Sequence, residues 1–425
     1  MKRKPLNRLA IVLLLGLLFG VLIQVRAGSA PSGSITVWGW GSSDSISEKT
    51  FATIHPSIKV NYVKMDWSSV NQKLLAALVA GTGAPDVANI EISALAQFMS
   101  RAKYGGIVDL SKLVAKYKKD ILPYALSLGM ADNSKILGIP NDAGPAIIFY
   151  RRDAFEKAGV KAEDIKSWDD LIAAGTKMGA ASGGKIKLCS AASEIFYYRF
   201  FLNDGKGGLI DKNGRITISA RNKEALAALT MARKAVDAGL VAQISTWTND
   251  WYAGMKNGNI ALYPSGCWLG GGIKNDLAPD TAGKWGAMPL PQAKQGFTGG
   301  TWACIPEQTK NKDAAWEYIR WMNLSPEGSK LGFVNNTWQT IPAIKSAYDD
   351  PIFAKPDEFF AGQKVGELYI QAALKVPAMF IHEKDQEAFS LLNAELTKCL
   401  VEKSIDPAAC LDNAIKAIKA KGLGK

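Results

Sequence analysis

Three stretches decide the fold: Ser34-Ile35-Thr36-Val37-Trp38, Ile58-Lys59-Val60-Asn61-Tyr62 and Ala84-Pro85-Asp86-Val87-Ala88-Asn89-Ile90. Each is rich in β-branched or aromatic residues and bounded by turn formers, so each reads as a strand. Between them lie two helical segments. The first covers residues 47–53. The second covers residues 66–80, with Leu74, Leu75, Leu78 and Val79 on one broad apolar face, Ser68 or Ser69 as its cap and Gly81 as its stop. Strand, helix, strand, helix, strand is α/β alternation, and it predicts a sheet flanked by helices.

Further along, Leu137-Gly138-Ile139-Pro140 and residues 146–150 read as two strands interrupted by Asn141-Asp142-Ala143-Gly144-Pro145, a segment suited to crossing between two bodies. Helices follow at 153–158 and 168–178, then a strand at 185–189, a helix at 193–202, a long helix at 221–238, a helix at 251–256 and strands at 260–263 and 298–305. After a helix at 312–324 the chain reads mainly as helix. A chain of 425 residues exceeds one typical domain of roughly 150 residues, so a bilobed α/β body is expected. No internal repeat, low-complexity tract or phosphate-binding GxxxxGK[ST] loop occurs.

The amino-terminal 30 residues form a separate unit. A basic start (Lys2, Arg3, Lys4, Arg8) leads into an apolar run over residues 9–23, then into the small residues Ala27, Gly28, Ser29 and Ala30. This is the pattern of a cleaved secretory signal, and the run is shorter than the roughly 20 residues a membrane-spanning helix needs. No cysteine follows it for lipid attachment, so a soluble periplasmic protein is expected. Removing the leader's five basic residues, which no acid accompanies, lowers the net charge from +12 to +7. The mature excess is spread out, and no Lys/Arg cluster alternates with aromatics, so no nucleic-acid partner is expected.

An oxidising compartment gives the five cysteines a second reading. Cys399 and Cys410 flank a helix break at Ser404-Ile405-Asp406-Pro407, where two antiparallel helix ends could bring them together. A disulfide closing so short a loop would contribute roughly 2 to 3 kcal/mol. Cys189, Cys267 and Cys304 read as small buried hydrophobes. With no CxxC and only two histidines, His55 and His382, neither a structural metal nor a cofactor is expected.

The same scarcity of histidine, with no GxSxG around any serine, leaves a serine-nucleophile reading without support. A secreted glycoside-active enzyme would need only paired carboxylates, for which Glu91, Asp142 and Glu194 are the candidates. Tryptophan points elsewhere. Trp38, Trp40, Trp67, Trp247, Trp251, Trp268, Trp302 and Trp338 lie in or beside loops rich in Gly, Ser, Thr or Asn, whereas Trp168, Trp316 and Trp321 sit on helices as core. A flat ring offers a sugar's C–H face a large contact while nearby polar groups bond its hydroxyls, so the loop tryptophans indicate a carbohydrate cleft.

Several pieces, in order, resemble one family. They are Ile35-Thr36-Val37-Trp38, His55-Pro56-Ser57-Ile58-Lys59-Val60, Ala80-Gly81-Thr82-Gly83-Ala84-Pro85-Asp86-Val87, Gly138-Ile139-Pro140 leading to Phe149-Tyr150-Arg151-Arg152-Asp153-Ala154-Phe155, Ser167-Trp168-Asp169-Asp170-Leu171, Gly258-Asn259-Ile260-Ala261-Leu262, Gly299-Gly300-Thr301-Trp302 and Ala314-Ala315-Trp316-Glu317-Tyr318-Ile319. Over almost the whole mature chain this is similar to the family 1 extracellular solute-binding proteins of ATP-binding-cassette sugar importers, the group related to maltose-binding protein.

The resemblance implies a two-lobed periplasmic-binding-protein fold, each lobe a mixed sheet flanked by helices. Lobe one would be residues 31–143 with 303–324, and lobe two residues 144–302 with 325–425. It further implies a monomer that holds a sugar between the lobes and presents its closed form to a membrane permease. Sugar-stacking aromatics are implied at Phe196 or Tyr197 and at Trp268, with polar contacts near residues 40–43, Glu91 and Asp142. Together with the loop tryptophans, the expected ligand-binding set is Trp40, Ser42, Ser43, Trp67, Glu91, Asp142, Tyr197, Trp251, Trp268 and Trp302. The stretch 377–382, which would hold a further stacking aromatic, contains no tryptophan, and this argues against maltodextrin as the ligand.

Overall fold

A computed structural model describes residues 30–40, 46–101, 106–131, 135–202, 208–291 and 296–425. The leader up to residue 29, and with it Ser42 and Ser43 of the expected site, lies outside the described residues.

The amino-terminal alternation runs β1 (Gly33–Gly39), α1 (Ile46–Ile54), β2 (Ile58–Lys64), α2 (Trp67–Ala80) and β3 (Val87–Glu91). The start of α2 differs from expectation: Asp66, not a serine, is the cap, its carboxylate accepting from the Ser69 backbone N–H at 2.9 Å. An ionised carboxylate also suits the positive end of the helix dipole. The stop is as expected, with Gly81 at φ 74°, the left-handed conformation that glycine adopts without penalty. Then come β4 (Ile139–Pro140), β5 (Ala146–Arg151), α3 (Trp168–Ala181), α4 (Ala192–Phe196), α5 (Lys223–Asp237), α6 (Asn249–Lys256), β6 (Leu262–Gly266), α7 (Trp268–Gly272), β7 (Trp285–Pro289), β8 (Thr301–Cys304), α8 (Lys312–Leu324), α9 (Val365–Ala373), α10 (Asp385–Leu400) and α11 (Pro407–Ala420).

These strands form two mixed sheets. The first has the order β2-β1-β3-β8-β4; β1 is parallel to β2 and β3, whereas β8 is antiparallel to β3 and β4. The second has the order β6-β5-β7 and is antiparallel throughout. Its central strand β5 is buried on both faces at all six positions, which explains its unbroken apolar run Ala-Ile-Ile-Phe-Tyr. A core of Ile35, Val37, Val87, Ile139, Ala315 and Ile319 lies under the first sheet, and another, with Ile148, Trp168, Leu229 and Leu392, under the second.

The expected strand at 185–189 is reduced to two parallel bridges, Lys187 with Ile260 and Cys189 with Val241. The expected helix at 193–202 is α4 followed by a π-helical stretch, Tyr197–Leu202. Part of the segment assigned to lobe two packs on the first sheet instead. Ile344 bridges to Ile121 and lies in the core with Ile35 and Ile319, because its apolar side chain is sealed there by α8 and its neighbours.

Candidate functional site

The topology of the first sheet brings one set of residues to a single edge. Parallel strands β1, β2 and β3 all end there, β8 begins there because it runs the other way, and β4 runs out there into the crossing segment 141–145. Trp40 therefore follows β1, Trp67 opens α2 just beyond β2, Glu91 closes β3, Asp142 follows β4 and Thr301 starts β8. The carboxyl ends of strands in an open α/β sheet are the usual place for a ligand crevice.

Thr301 is the hinge of this group. It pairs in register with Glu91, and its N–H donates to Asp142 Oδ1 at 3.3 Å. Glu91 Oε2 accepts from the Ser93 backbone N–H at 2.8 Å and from the Ser93 hydroxyl. Burial pushes the Asp142 carboxyl up to about 7, the Thr301 N–H opposing this and the nearby Glu91 charge adding to it. Burial likewise raises Glu91. Asn141 Nδ2 donates to Asn89 Oδ1 at 3.0 Å, and Asn323 Nδ2 donates to Asn141 Oδ1 at 2.9 Å, an amide chain that fixes the residue preceding Asp142.

The second sheet presents a complementary edge. Ala146 at the start of β5 pairs with Gly266 at the end of β6, so Cys267 and Trp268 emerge beside the crossing segment. Trp268 Nε1 donates to Thr298 O at 3.2 Å, and Thr298 N donates to Gly144 O at 2.9 Å. Close backbone approach makes this possible. A Cβ at Gly266 would fall 2.2 Å from Trp268 Nε1, and one at Gly299, whose φ is 73°, would fall 2.6 Å from it. Glycine at both positions is thus a condition of the indole's placement.

Trp268 belongs to a tryptophan cluster. Trp247 stacks on it with ring centroids 5.9 Å apart and planes 25° apart, and Trp338 lies 5.8 Å from it. Trp247, at φ 66°, is 46% exposed, and Trp338 and Trp268 are half-buried, so three indoles meet solvent together. Trp247 and Trp338 were absent from the expected set. The local signal for Trp247 was its position just before the Thr248 cap of α6, a cap that accepts from the Trp251 N–H.

Two expected residues are corrected. Trp251 is wholly buried, because the first turn of α6 points it inward against Trp247, Tyr252 and Tyr263. Trp302 is wholly buried because β8 lies between β3 and β4 and is covered on both faces; its Nε1 donates to Ala125 O at 2.9 Å within the core. Both support the site from beneath and offer no face to a ligand. Trp40 is half-buried and Trp67 is 49% exposed, both at the sheet edge.

Tyr197 lies in the π-helical stretch, its hydroxyl hydrogen-bonded to Asn393 at 2.5 Å. It lines a groove of about 440 Å³ with Glu194, Ser245, Thr246, Tyr263 and Asn393. Glu194 Oε1 accepts from the Ser190 hydroxyl at 2.7 Å, and its buried Oε2 has no hydrogen-bond partner among the described residues. Burial pushes this carboxyl up to about 7. Tyr263, which lines the groove, packs on Trp251, and Trp251 packs on Trp247, so the groove connects to the tryptophan cluster through touching rings. No group of three or more metal-ligating side chains occurs among the described residues.

Two sheets whose facing edges carry half-exposed indoles and buried hydrogen-bonding groups define a two-lobed binding fold. The comparisons place it more narrowly: residues 48–361 match the family model "Bacterial extracellular solute-binding protein", and the chain belongs to that family, a family of binding proteins and not of enzymes. It is 26% identical over 381 residues to the arabinooligosaccharide-binding protein of Bacillus subtilis (strain 168), covering 86% of this chain and 85% of that one. It is also 26% identical over 375 residues to the lactose-binding protein of Rhizobium radiobacter, covering 83% and 84%. Among solved structures it is similar to the transporter-associated binding protein of B. animalis subsp. lactis Bl-04 in complex with beta-1,6-galactobiose, with TM-score 0.73, 27% identity and coverage of 92% and 98%. An extracellular solute-binding protein family 1 structure shares the fold, with TM-score 0.77, 20% identity and coverage of 90% and 98%.

Proposed function

We propose that this protein captures a sugar or short oligosaccharide between its two lobes and delivers it to the permease of an ABC importer, working as an exported, periplasmic monomer without a cofactor. The observation that carries this reading is the division of labour between the facing edges. One supplies carboxyls and Thr301, with Trp40 and Trp67 at its rim; the other supplies the Trp247–Trp268–Trp338 cluster and the Tyr197 groove. Stacking planes and hydroxyl-binding groups are what a sugar requires, and drawing them from both lobes lets a ligand favour the closed form. Two relatives, an arabinooligosaccharide-binding protein and a lactose-binding protein, support the same class.

Glu91 and Asp142 stand together, as the carboxyls of a glycosidase would. The chain's family is one of binding proteins, however, which favours a binding role for the pair. They serve this protein as hydrogen-bonding groups for hydroxyls. The test is a thermal-shift screen of neutral mono- and oligosaccharides. A ligand at 100 times its Kd raises native stability by about 2.7 kcal/mol, a melting rise of several degrees. A screen in which no sugar stabilises the protein while another solute class does would refute the carbohydrate reading.

A further inference from the structure

We infer that Cys399 and Cys410 are joined by a disulfide in the mature exported protein. Cys399 occupies the last turn of α10 and Cys410 the first turn of α11, and both are wholly buried in one apolar cluster. Each thiol is the largest influence on the other's ionisation, Cys410 favouring the Cys399 thiolate and Cys399 holding the Cys410 thiol up, as neighbours across the helix junction would.

The connection between the two helices is fixed on both sides. Asp406 caps α11 by accepting from Ala409 N at 2.8 Å, its backbone carbonyl accepts from Cys410 N at 3.0 Å, and Ser404 N donates to Lys398 O at 2.9 Å. Arg233 on α5 ties the ends together, its Nη1 donating to Cys399 O at 3.2 Å and to Ile405 O at 3.3 Å. A connection held this way keeps the last turn of α10, with Cys399, beside the first turn of α11, with Cys410.

The other three thiols lack such a neighbour. Cys189 donates to Ala191 O, Cys267 donates to Ala143 O, and Cys304 lies within β8. Burial raises the pKa of all three, to about 12 for Cys304, so they stay as unreactive thiols.

The chemistry is thiol–disulfide exchange with a disulfide donor of the exporting compartment. The Cys399 thiolate, favoured by the neighbouring Cys410 thiol, attacks the donor disulfide, forms a mixed disulfide and releases one donor thiol. The Cys410 thiolate then attacks the Cys399 sulfur and releases the second. Two S–H bonds are lost, one S–S bond forms, and the donor carries away two electrons and two protons. Exchange precedes the docking of this helical hairpin on α5, since both sulfurs are sealed afterwards.

This inference uses the proposed export for its oxidising surroundings, and its test is independent of it. Purified protein is unfolded, refolded in a mixture of oxidised and reduced glutathione, alkylated in denaturant and weighed. Three alkyl groups instead of five, a peptide linking Cys399 to Cys410, and a lower melting point after reduction with dithiothreitol are expected. Cys399→Ser should take up four alkyl groups. Five alkyl groups on the unsubstituted protein, or a link involving Cys189, Cys267 or Cys304, would overturn the assignment. Retention of the leader on the native protein would count against export alone.

Discussion

Asp142→Asn probes the edge of the first sheet with a worked magnitude. The Asp142 carboxyl is buried, and its pKa rises from 3.8 in a free chain to about 7. Below about pH 3, it is protonated in both states and contributes no difference. Between about pH 4 and 7 the native state retains a proton that the unfolded chain has released, so native stability falls as pH rises. Above about 7 the penalty is complete. Three pKa units correspond to at most about 4 kcal/mol. Asparagine keeps the Oδ1 acceptor for the Thr301 N–H and never ionises. The variant should therefore match the parent near pH 3 and exceed it by up to about 4 kcal/mol near pH 8, with a gap in melting temperature of several degrees. Ligand-free urea unfolding followed by tryptophan fluorescence across this range is the assay. Parallel stability–pH curves, or a gap that opens toward acid, would refute the reasoning. Because Glu91 raises Asp142, adding Glu91→Gln should give less than the sum of the single effects.

Trp268→Ala should abolish sugar-induced stabilisation and leave the ligand-free melting point nearly unchanged, and Trp247→Ala should weaken binding; thermal shift measures both. Trp302→Ala and Trp251→Ala should instead lower ligand-free stability by about 3 to 5 kcal/mol, as buried aromatic truncations do, which denaturant unfolding checks. Oligosaccharides incubated with the protein should yield no new reducing ends; turnover lost in Asp142→Asn or Glu194→Gln would reverse the binding-only reading. Intact mass of the native product should begin near Gly28 or Pro31, and a mass that includes residues 1–26 would refute leader cleavage.

The alternating strands and helices of residues 33–91 were legible because each depends on local properties: β-branched runs, the glycine stop at Gly81, and one apolar helical face. Trp168 and Trp321 were readable as core from their helices. Trp247 and Trp251 were not separable. They flank the same cap four residues apart, and which one faces solvent turns on the positive φ of Trp247 and on the packing of Tyr263, which arrives later in the chain. Trp302 was misplaced because β8 is covered on both faces, and its interior position between β3 and β4 depends on pairing with segments distant in the chain. The site's acids were legible as residues at strand ends, but their mutual approach through Thr301 was not, since it depends on pairing between distant segments.

That pairing also governs when the chain can fold. Ala88 meets Cys304 and Pro140 meets Trp302, so the first sheet stays in two unjoined parts until the β8 segment is available. Loop closure over such a separation is slow, and contacts between neighbouring helices cannot substitute for it. A nascent chain of this design remains without its completed amino-terminal lobe through much of its synthesis. The late strand thus acts as a timer: it delays compaction of this lobe until residues 301–304 have been made.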